Sequence, residues 1–149
     1  MPIKAVIDTN VLISSLMASQ GNPYRIFAAW QQGKFTLVIS DYMLQELRHV
    51  LIYPRIASRL RLNETELAVV LKAFTEKSEI VIAPRDLSGA TRDPKDDPVV
   101  ACAVTGQADY LVSGDQDILV LRTYNGVQMV TAVAFVQILN TQSFAEDTA

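Results

Sequence analysis

Four acidic residues of this sequence stand where strands and helices are expected to meet at one edge of a sheet. Asp8 and Asp115 each come at the end of a short apolar run that is typical of a buried strand. Glu46 lies in the helical segment after another such run, and Asp97 begins a helix after a polar loop. Carboxylate oxygens are ligands that suit Mg²⁺ and Mn²⁺. The residue types therefore point to a hard divalent cation and to the phosphate oxygens that it binds.

A cation bound by these clustered carboxylates would have two effects, one on their mutual repulsion and one on a bound water. Like charges that share a site repel and raise at least one pKa, and a cation removes that repulsion. A bound metal lowers the pKa of its water to give a hydroxide nucleophile, and two ions about 3.5–4 Å apart are common in sites that cleave phosphodiesters. The chain has one His and one Cys, so a zinc site is not expected.

Each acid has an ordinary structural interpretation as well. Asp97 is a preferred N-cap residue type, which stabilises a helix by about 1 kcal/mol. Asp8 and Asp115 fit simple strand-to-helix turns, and Glu46 fits a solvated helix face. The expected coincidence of all four acids at one place favours a functional site over four separate caps and turns.

The elements that must position these acids alternate along the chain. Five short apolar runs predict strands, at residues 3–7, 35–39, 79–83, 110–113 and 127–130. Helical spacing and caps predict helices at residues 10–18, 24–32, 42–53, 64–77, 97–105, 115–121 and 131–139. Strands without polar alternation between helices indicate a parallel α/β sheet that is covered on both faces. In such sheets functional groups gather beyond the carboxyl ends of the strands.

Length and composition limit the class of protein. The 149 residues, half of them hydrophobic, fit one domain, which we expect at residues 1–141 with a short frayed tail at 142–149. The formal net charge is −3, so the chain lacks the basic balance of many nucleic-acid binders. The N-terminal apolar run is too short for a signal peptide, and no run approaches the ~18 apolar residues of a membrane span. We therefore expect a cytoplasmic protein that makes no use of a membrane, with Cys102 as a buried thiol.

Four segments together resemble the PIN-domain family of metal-dependent ribonucleases. They are VIDTNVL at residues 6–12, SDYMLQEL at 40–47, DDPVVACA at 96–103 and YLVSGDQD at 110–117. They follow the family's order and rough spacing, and the resemblance covers about residues 3–136. The arrangement is most similar to the bacterial and archaeal branch described as toxins of toxin–antitoxin pairs, related to VapC-type toxins.

This resemblance implies a fold and an activity. The fold is a three-layer α/β/α arrangement around a five-stranded parallel sheet of order 3-2-1-4-5. The activity is endonucleolytic cleavage of single-stranded RNA, with one or two Mg²⁺ or Mn²⁺ ions, leaving 5′-phosphate and 3′-hydroxyl ends. The implied partners are an RNA substrate, a cognate antitoxin and a second copy in a homodimer, for which Tyr42, Met43 and Leu51 are apolar candidates.

The resemblance also assigns residue roles. The catalytic metal ligands it implies are, in chain order, Asp8, Glu46, Asp97 and Asp115, and Asp117 shares or replaces the last of them. Asn10 and Ser113 match polar residues that orient the first and last carboxylates. Asp96 precedes Asp97 directly, and we choose Asp97 because we place it at the helix N-cap.

RNA also requires cations on the protein surface. Arg48, His49, Arg55, Arg59 and Arg61 lie within fourteen residues just after Glu46. Arg92 and Lys95 lie on the polar loop before Asp97. We assign RNA contact to Arg48, Arg55, Arg59, Arg92 and Lys95; the alternative is a solvated pair of helices.

Two other classes remain as alternatives. Haloacid-dehalogenase-type phosphatases begin with a strand that ends in Asp-x-Asp, but Asn10 stands at the third position here. A receiver domain needs a late Lys, and residues 118–149 contain none. The second class is a non-catalytic metal-binding or interaction domain on the same fold, since a fold does not determine function.

Overall fold

A mostly parallel sheet forms the centre of the molecule. The computed structural model describes residues 2–84 and 96–148, with side chains up to residue 142. The strands are β1 (Lys4–Ile7), β2 (Thr36–Ser40), β3 (Glu79–Val81), β4 (Tyr110–Val112), β5 (Thr123–Tyr124) and β6 (Val127–Val130). The helices are α1 (Thr9–Met17), α2 (Asn22–Gln31), α3 (Asp41–Leu51), α4 (Pro54–Ala57), α5 (Glu64–Lys77), α6 (Asp97–Thr105), α7 (Gln116–Leu119) and α8 (Ala132–Thr148).

The strand order is β3-β2-β1-β4-β6-β5. The first five strands of this order pair in parallel, so the predicted α/β fold and the predicted order of its five parallel strands are confirmed. Successive residues of β1, β2 and β4 are buried, which requires helices on both faces of the sheet. This arrangement brings the carboxyl ends of β1, β2 and β4 to one edge.

The structure adds three features that the sequence pattern did not predict. Strand β5 pairs antiparallel with β6 through a tight turn at Asn125 and Gly126, which both have positive φ. Helix α4 begins at Pro54, directly after the helix that was expected at residues 42–53, because proline suits the first turn of a helix. Helix α8 extends to Thr148, past its expected end at residue 139. The division into a domain at 1–141 and a frayed tail stays a prediction.

Most local signals at the helix ends behave as predicted. Ser40 caps α3 by accepting a hydrogen bond from the backbone N–H of Met43 at 3.1 Å. Asn63 and Glu66 form a capping box at the start of α5, where the sequence predicts a helix from residue 64. Across the described residues, no helix is both long enough and apolar enough to cross a bilayer.

Helix α6 positions the third acidic segment, and its end packs tightly on the sheet. Gly106 follows its last residue, and a Cβ atom built there would lie 2.5 Å from Cγ1 of Val38 on β2. The φ of Gly106 is −81°, so glycine is needed here for space and not for conformation. Cys102 of the same helix is fully buried, and this burial raises the pKa of its thiol to about 12. The predicted structural role of that thiol fits its position.

The close approach at Gly106 yields a stability prediction. We expect Gly106→Ala to lower the free energy of unfolding by about 1–3 kcal/mol, because the buried, β-branched Val38 cannot move away easily. Chemical denaturation measures the effect. Gly114→Ala is the matched control, since a Cβ there meets nothing within 4 Å.

Adding Val38→Ala to Gly106→Ala should recover part of the loss, because it removes the clashing methyl group. Equal stability of Gly106→Ala and the wild type would contradict the packing interpretation.

Candidate metal and nuclease site

Strands β1 and β4 are joined at their carboxyl ends by a buried hydrogen bond between side chains. The Ser113 hydroxyl donates to Oδ2 of Asp8 at 2.8 Å, and it accepts from the backbone N–H of Asp115 at 3.0 Å. Asp8 directly follows β1, and its own N–H donates to the carbonyl of Val112 at 2.9 Å, which continues the pairing of the strands. Ser113 therefore orients Asp8 and holds the backbone at Asp115.

The acids after β4 form a compact group with one acid from the start of α6. Asp115 is the N-cap of α7, and its Oδ1 accepts from the N–H of Asp117 at 2.8 Å. Asp96, Asp115 and Asp117 each offer one oxygen atom, and these atoms lie within 4.8 Å of one another. A single divalent cation with oxygen ligands at about 2.0–2.6 Å spans such a group.

An acidic cavity of about 230 Å³ lies at this edge of the sheet. Four carboxylates from four chain segments line it: Asp8, Glu46, Asp96 and Asp115. The remaining lining residues, which with these four define the acidic cavity, are Thr9, Asn10, Tyr42, Met43, Pro98 and Val99. Three of the predicted ligands, Asp8, Glu46 and Asp115, are thus brought together from β1, α3 and α7.

The third acidic segment differs from the expectation by one residue. Asp97 was expected at the N-cap of α6, and this expectation is wrong: the N-cap is Asp96 and Asp97 is the first helical residue. Asp97 is 4% exposed, and the described lining of the acidic cavity includes Asp96 and Pro98 on either side of it. The sequence carried a signal for Asp96, namely its place in the Asp96–Asp97 pair. The assignment of Asp97 as a ligand stays a prediction.

Burial is the main influence on Asp8. Desolvation raises the pKa of its carboxyl group, and the nearby negative charge of Asp115 raises it further. Hydrogen bonds from Ser113 and from the backbone of Thr9 and Asn10 lower it, but the net shift is upward. A carboxylate that is costly to ionise in the folded state gains most from a cation placed beside it.

The predicted basic residues either do not line the acidic cavity or lie outside the described residues. Arg48, Arg55 and Arg59 are exposed, and none is among the described lining residues of the acidic cavity. Arg48 donates to the Thr75 hydroxyl on α5, and Arg61 lies over the Tyr24 ring at 5.1 Å from its centroid. Arg61 is exposed, and its guanidinium is held against the Tyr24 ring and the carbonyl of Ser15. Arg92 and Lys95 lie outside the described residues.

Comparison with known proteins identifies the family. The family described as PIN domain matches residues 4–117, which is more than half of the chain. The chain belongs to the PIN domain family. An uncharacterized protein of Methanocaldococcus jannaschii, MJ1680, is 32% identical over 123 residues, which cover 83% of this chain and 77% of that protein.

Membership of this family gives the acidic cavity a chemical context. PIN domains are typically nucleases, and PIN nucleases usually use divalent metals. The donor set of this PIN domain fits such a metal, because it consists of carboxylate oxygens at the end of a parallel sheet, and the described lining residues include no cysteine thiolate and no imidazole. The cluster and the family agree on nuclease-type function.

The buried carboxyl group of Asp8 leads to a stability prediction for the metal-free protein. We expect Asp8→Asn to raise the melting temperature at neutral pH by a few degrees, since 1 kcal/mol corresponds to roughly 2–4 °C in a domain of about this size or larger. The folded-state pKa of Asp8 lies above its unfolded value, so the folded state binds the proton more tightly. The ionised Asp8 therefore lowers stability above the folded-state pKa, and this penalty disappears as the pH falls below the ordinary value of 3.8.

Differential scanning fluorimetry across pH, with EDTA present, measures the difference between the two proteins. The excess of the melting temperature of Asp8→Asn over that of the wild type should be largest near neutral pH and should decrease in acid. Glu76→Gln, at an exposed carboxylate on α5, is the control and should change little. A wild-type protein that is more stable than Asp8→Asn at neutral pH without metal would contradict the prediction.

Proposed function

We propose that this PIN domain is a metal-dependent endoribonuclease that cleaves single-stranded RNA. The observation that carries the proposal is the convergence of Asp8, Glu46, Asp96 and Asp115 on one cavity. Carboxylates without thiolate or imidazole partners suit Mg²⁺ or Mn²⁺, and those ions bind phosphate oxygens. The family match adds nuclease-type function.

The protein's residues have separate tasks in this proposal. Asp8 and Asp115 would hold the cation from the ends of β1 and β4, and Ser113 would keep both in position through its hydrogen bonds at 2.8 and 3.0 Å. Glu46 would approach from α3, which also lines the cavity. When bound, the metal supplies an activated water and offsets negative charge on the phosphate.

Cleavage by water that leaves 5′-phosphate ends requires that the phosphodiester lose its 3′ oxygen as the leaving group. Attack of a hydroxide on phosphorus breaks the bond to that oxygen, which takes up a proton and becomes a 3′-hydroxyl. The phosphate then remains on the 5′ oxygen of the next nucleotide. The ribose 2′-hydroxyl forms no bond in this reaction, so no cyclic phosphate arises.

The biological setting is a finer proposal. The four motifs resemble VapC-type toxins, so we propose that the protein acts as the toxin of a toxin–antitoxin pair in the cytoplasm and that an antitoxin covers the acidic cavity. A homodimer is a further proposal. The non-catalytic interaction domain is the second candidate, and it differs in requiring no RNA cleavage.

The first functional prediction concerns cleavage and its metal dependence. The purified protein should cleave a 5′-labelled single-stranded RNA with Mg²⁺ or Mn²⁺, and EDTA should abolish the activity. Asp8→Asn and Asp115→Asn should lower the rate by at least about 100-fold, because oriented charge at the reacting phosphate supplies several kcal/mol. Products should carry 5′-phosphate and 3′-hydroxyl ends, read by their ligation and kinase reactivity.

Glu76→Gln again serves as the control, since Glu76 lies on the exposed face of α5 near Lys72 and should leave cleavage unchanged. Absence of cleavage across several RNAs and both metals, from protein free of any antitoxin, would support the interaction domain instead. Cyclic phosphate ends would overturn the proposed role of water.

The second prediction separates the two adjacent aspartates. We propose that Asp96 contributes a ligand oxygen, because its carboxylate lies within 4.8 Å of those of Asp115 and Asp117. Asp96→Asn should raise the Mn²⁺ concentration needed for half-maximal activity by at least about tenfold. The matched variant is Asp97→Asn. If only Asp97→Asn raises that concentration, the ligand is Asp97, as the family motif implies.

A further inference from the structure

A second hollow adjoins the acidic cavity and shares three of its residues. It has a volume of about 360 Å³ and shares Asp8, Asn10 and Asp115 with the acidic cavity. Its own walls, which define the Gly114 hollow, are Val11, Ser14, Pro23 and Gly114. These walls come from α1, the start of α2 and the segment after β4, whereas the acidic cavity continues towards α3 and α6. The two spaces therefore extend from the shared acids in different directions.

The shape of this hollow depends on a glycine that the fold itself does not require. Of the five glycines in the described part of the chain, Gly21, Gly33 and Gly126 have positive φ, and Gly106 has no room for a Cβ atom. Gly114 has neither constraint, and a Cβ there would meet nothing within 4 Å. A side chain at Gly114 would instead project into the space that the hollow leaves open.

The walls of the Gly114 hollow are neutral. Asn10 and Val11 lie on the same side of α1 as Ser14, because they precede it by four and three residues, about one turn of helix. Val11 and Pro23 are partly buried and offer apolar surface, and the Ser14 side chain is exposed and offers a hydroxyl. Apart from the shared acids, the described walls carry no charge. Such a surface suits an uncharged, flat, partly apolar group better than it suits a phosphate.

The covalent structure of RNA indicates which group would occupy the Gly114 hollow. A phosphodiester carries one nucleoside on each side, each joined through a single oxygen atom. When its phosphate lies at Asp8 and Asp115, both nucleosides must lie against the surfaces next to these acids. We propose that the Gly114 hollow binds the nucleoside on one side of the cleaved phosphate. Its base would pack against Val11 and Pro23. This proposal rests on the proposed ribonuclease function.

The test uses substitutions that fill the hollow without touching an acid. Gly114→Val places a branched side chain in the open space, and Ser14→Leu fills the hollow from an exposed position of α1 where leucine favours the helix. Ala18→Val is the matched control, because Ala18 is exposed, has extended backbone that suits valine and lines neither space. All variants are compared at saturating Mn²⁺ on a short single-stranded RNA whose cleavage position has been mapped.

We expect Gly114→Val and Ser14→Leu each to raise KM by roughly 5-fold, the lower end of the range for a base stacked on an aromatic ring, because Val11 and Pro23 offer apolar surface without a ring. The Mn²⁺ concentration that gives half the maximal rate should stay within twofold of wild type in both filling variants. The KM of the control Ala18→Val should also stay within twofold of wild type. Placing an abasic nucleotide on one side of the cleaved bond should raise the KM of the wild type by a similar factor. In Gly114→Val that abasic nucleotide should have no further effect, because the base has already lost its place.

The outcomes are separable. A wild-type protein that cleaves no RNA overturns the ribonuclease function and this proposal together. An active wild type whose KM is insensitive to both filling variants overturns this proposal alone. A raised KM in Gly114→Val with an undiminished abasic effect also overturns it, because the base would then lie elsewhere. If the variants weaken only the binding of an antitoxin, the hollow is a protein contact and the proposal fails.

Discussion

The burial of carboxylates beside one another at the end of the sheet, which costs both desolvation and repulsion, is the constraint on which the rest of this structure depends. Asp8 is 9% exposed and shares its surroundings with Asp115, while the described lining of the acidic cavity contains no basic side chain. The buried residues of the sheet hold these two carboxyl groups in place. Ile7 and Val112, the last residues of β1 and β4, are 1% and 0% exposed, so the strand ends cannot retreat from one another. Hydrophobic packing of the sheet thus keeps the acids close against their repulsion.

The sequence predicts this edge well because strand ends are strongly determined by burial. Asp8 follows a run that must be inside, and Asp115 follows another, so the parallel sheet alone brings them together. The start of α6 is harder to predict, because adjacent residues on a helix point about 100° apart and Asp96 and Asp97 are both good capping types. If the helix began one residue later, Asp97 would take the position of Asp96 in the cavity, so an error of one residue in the predicted helix start changes which acid is assigned as the ligand. Strand β5 and helix α4, with two and four residues, are too short for any periodic signal.

The site contains charged acids, which require a cation, and neutral walls, which suit uncharged groups, and the fold places the two in different parts of the site. Acids lie where β1, β4 and the starts of α6 and α7 converge, and neutral walls lie beyond them on both sides. Tyr42, Met43 and Val99 line one direction, and Val11 and Pro23 line the other. A polyanion with neutral bases fits this pattern only if its phosphate meets a cation at the acids. Within the proposed function, the metal is therefore part of the binding surface as well as of the chemistry.

This distribution of charge changes the meaning of the net charge of −3. Five of the sixteen acids, namely Asp8, Glu46, Asp96, Asp115 and Asp117, surround one site, so the remaining eleven face thirteen Lys and Arg residues. A loaded metal site would leave the protein near neutral or slightly basic. Since no described arginine lines the acidic cavity or the Gly114 hollow, few phosphates held in these spaces would be neutralised by side chains. In basic nucleic-acid binders, the decrease of affinity with salt concentration follows the number of phosphates that the protein contacts. The affinity of this protein for RNA would therefore decrease less steeply with salt. It would depend more on the divalent cation and on the neutral walls of the two spaces.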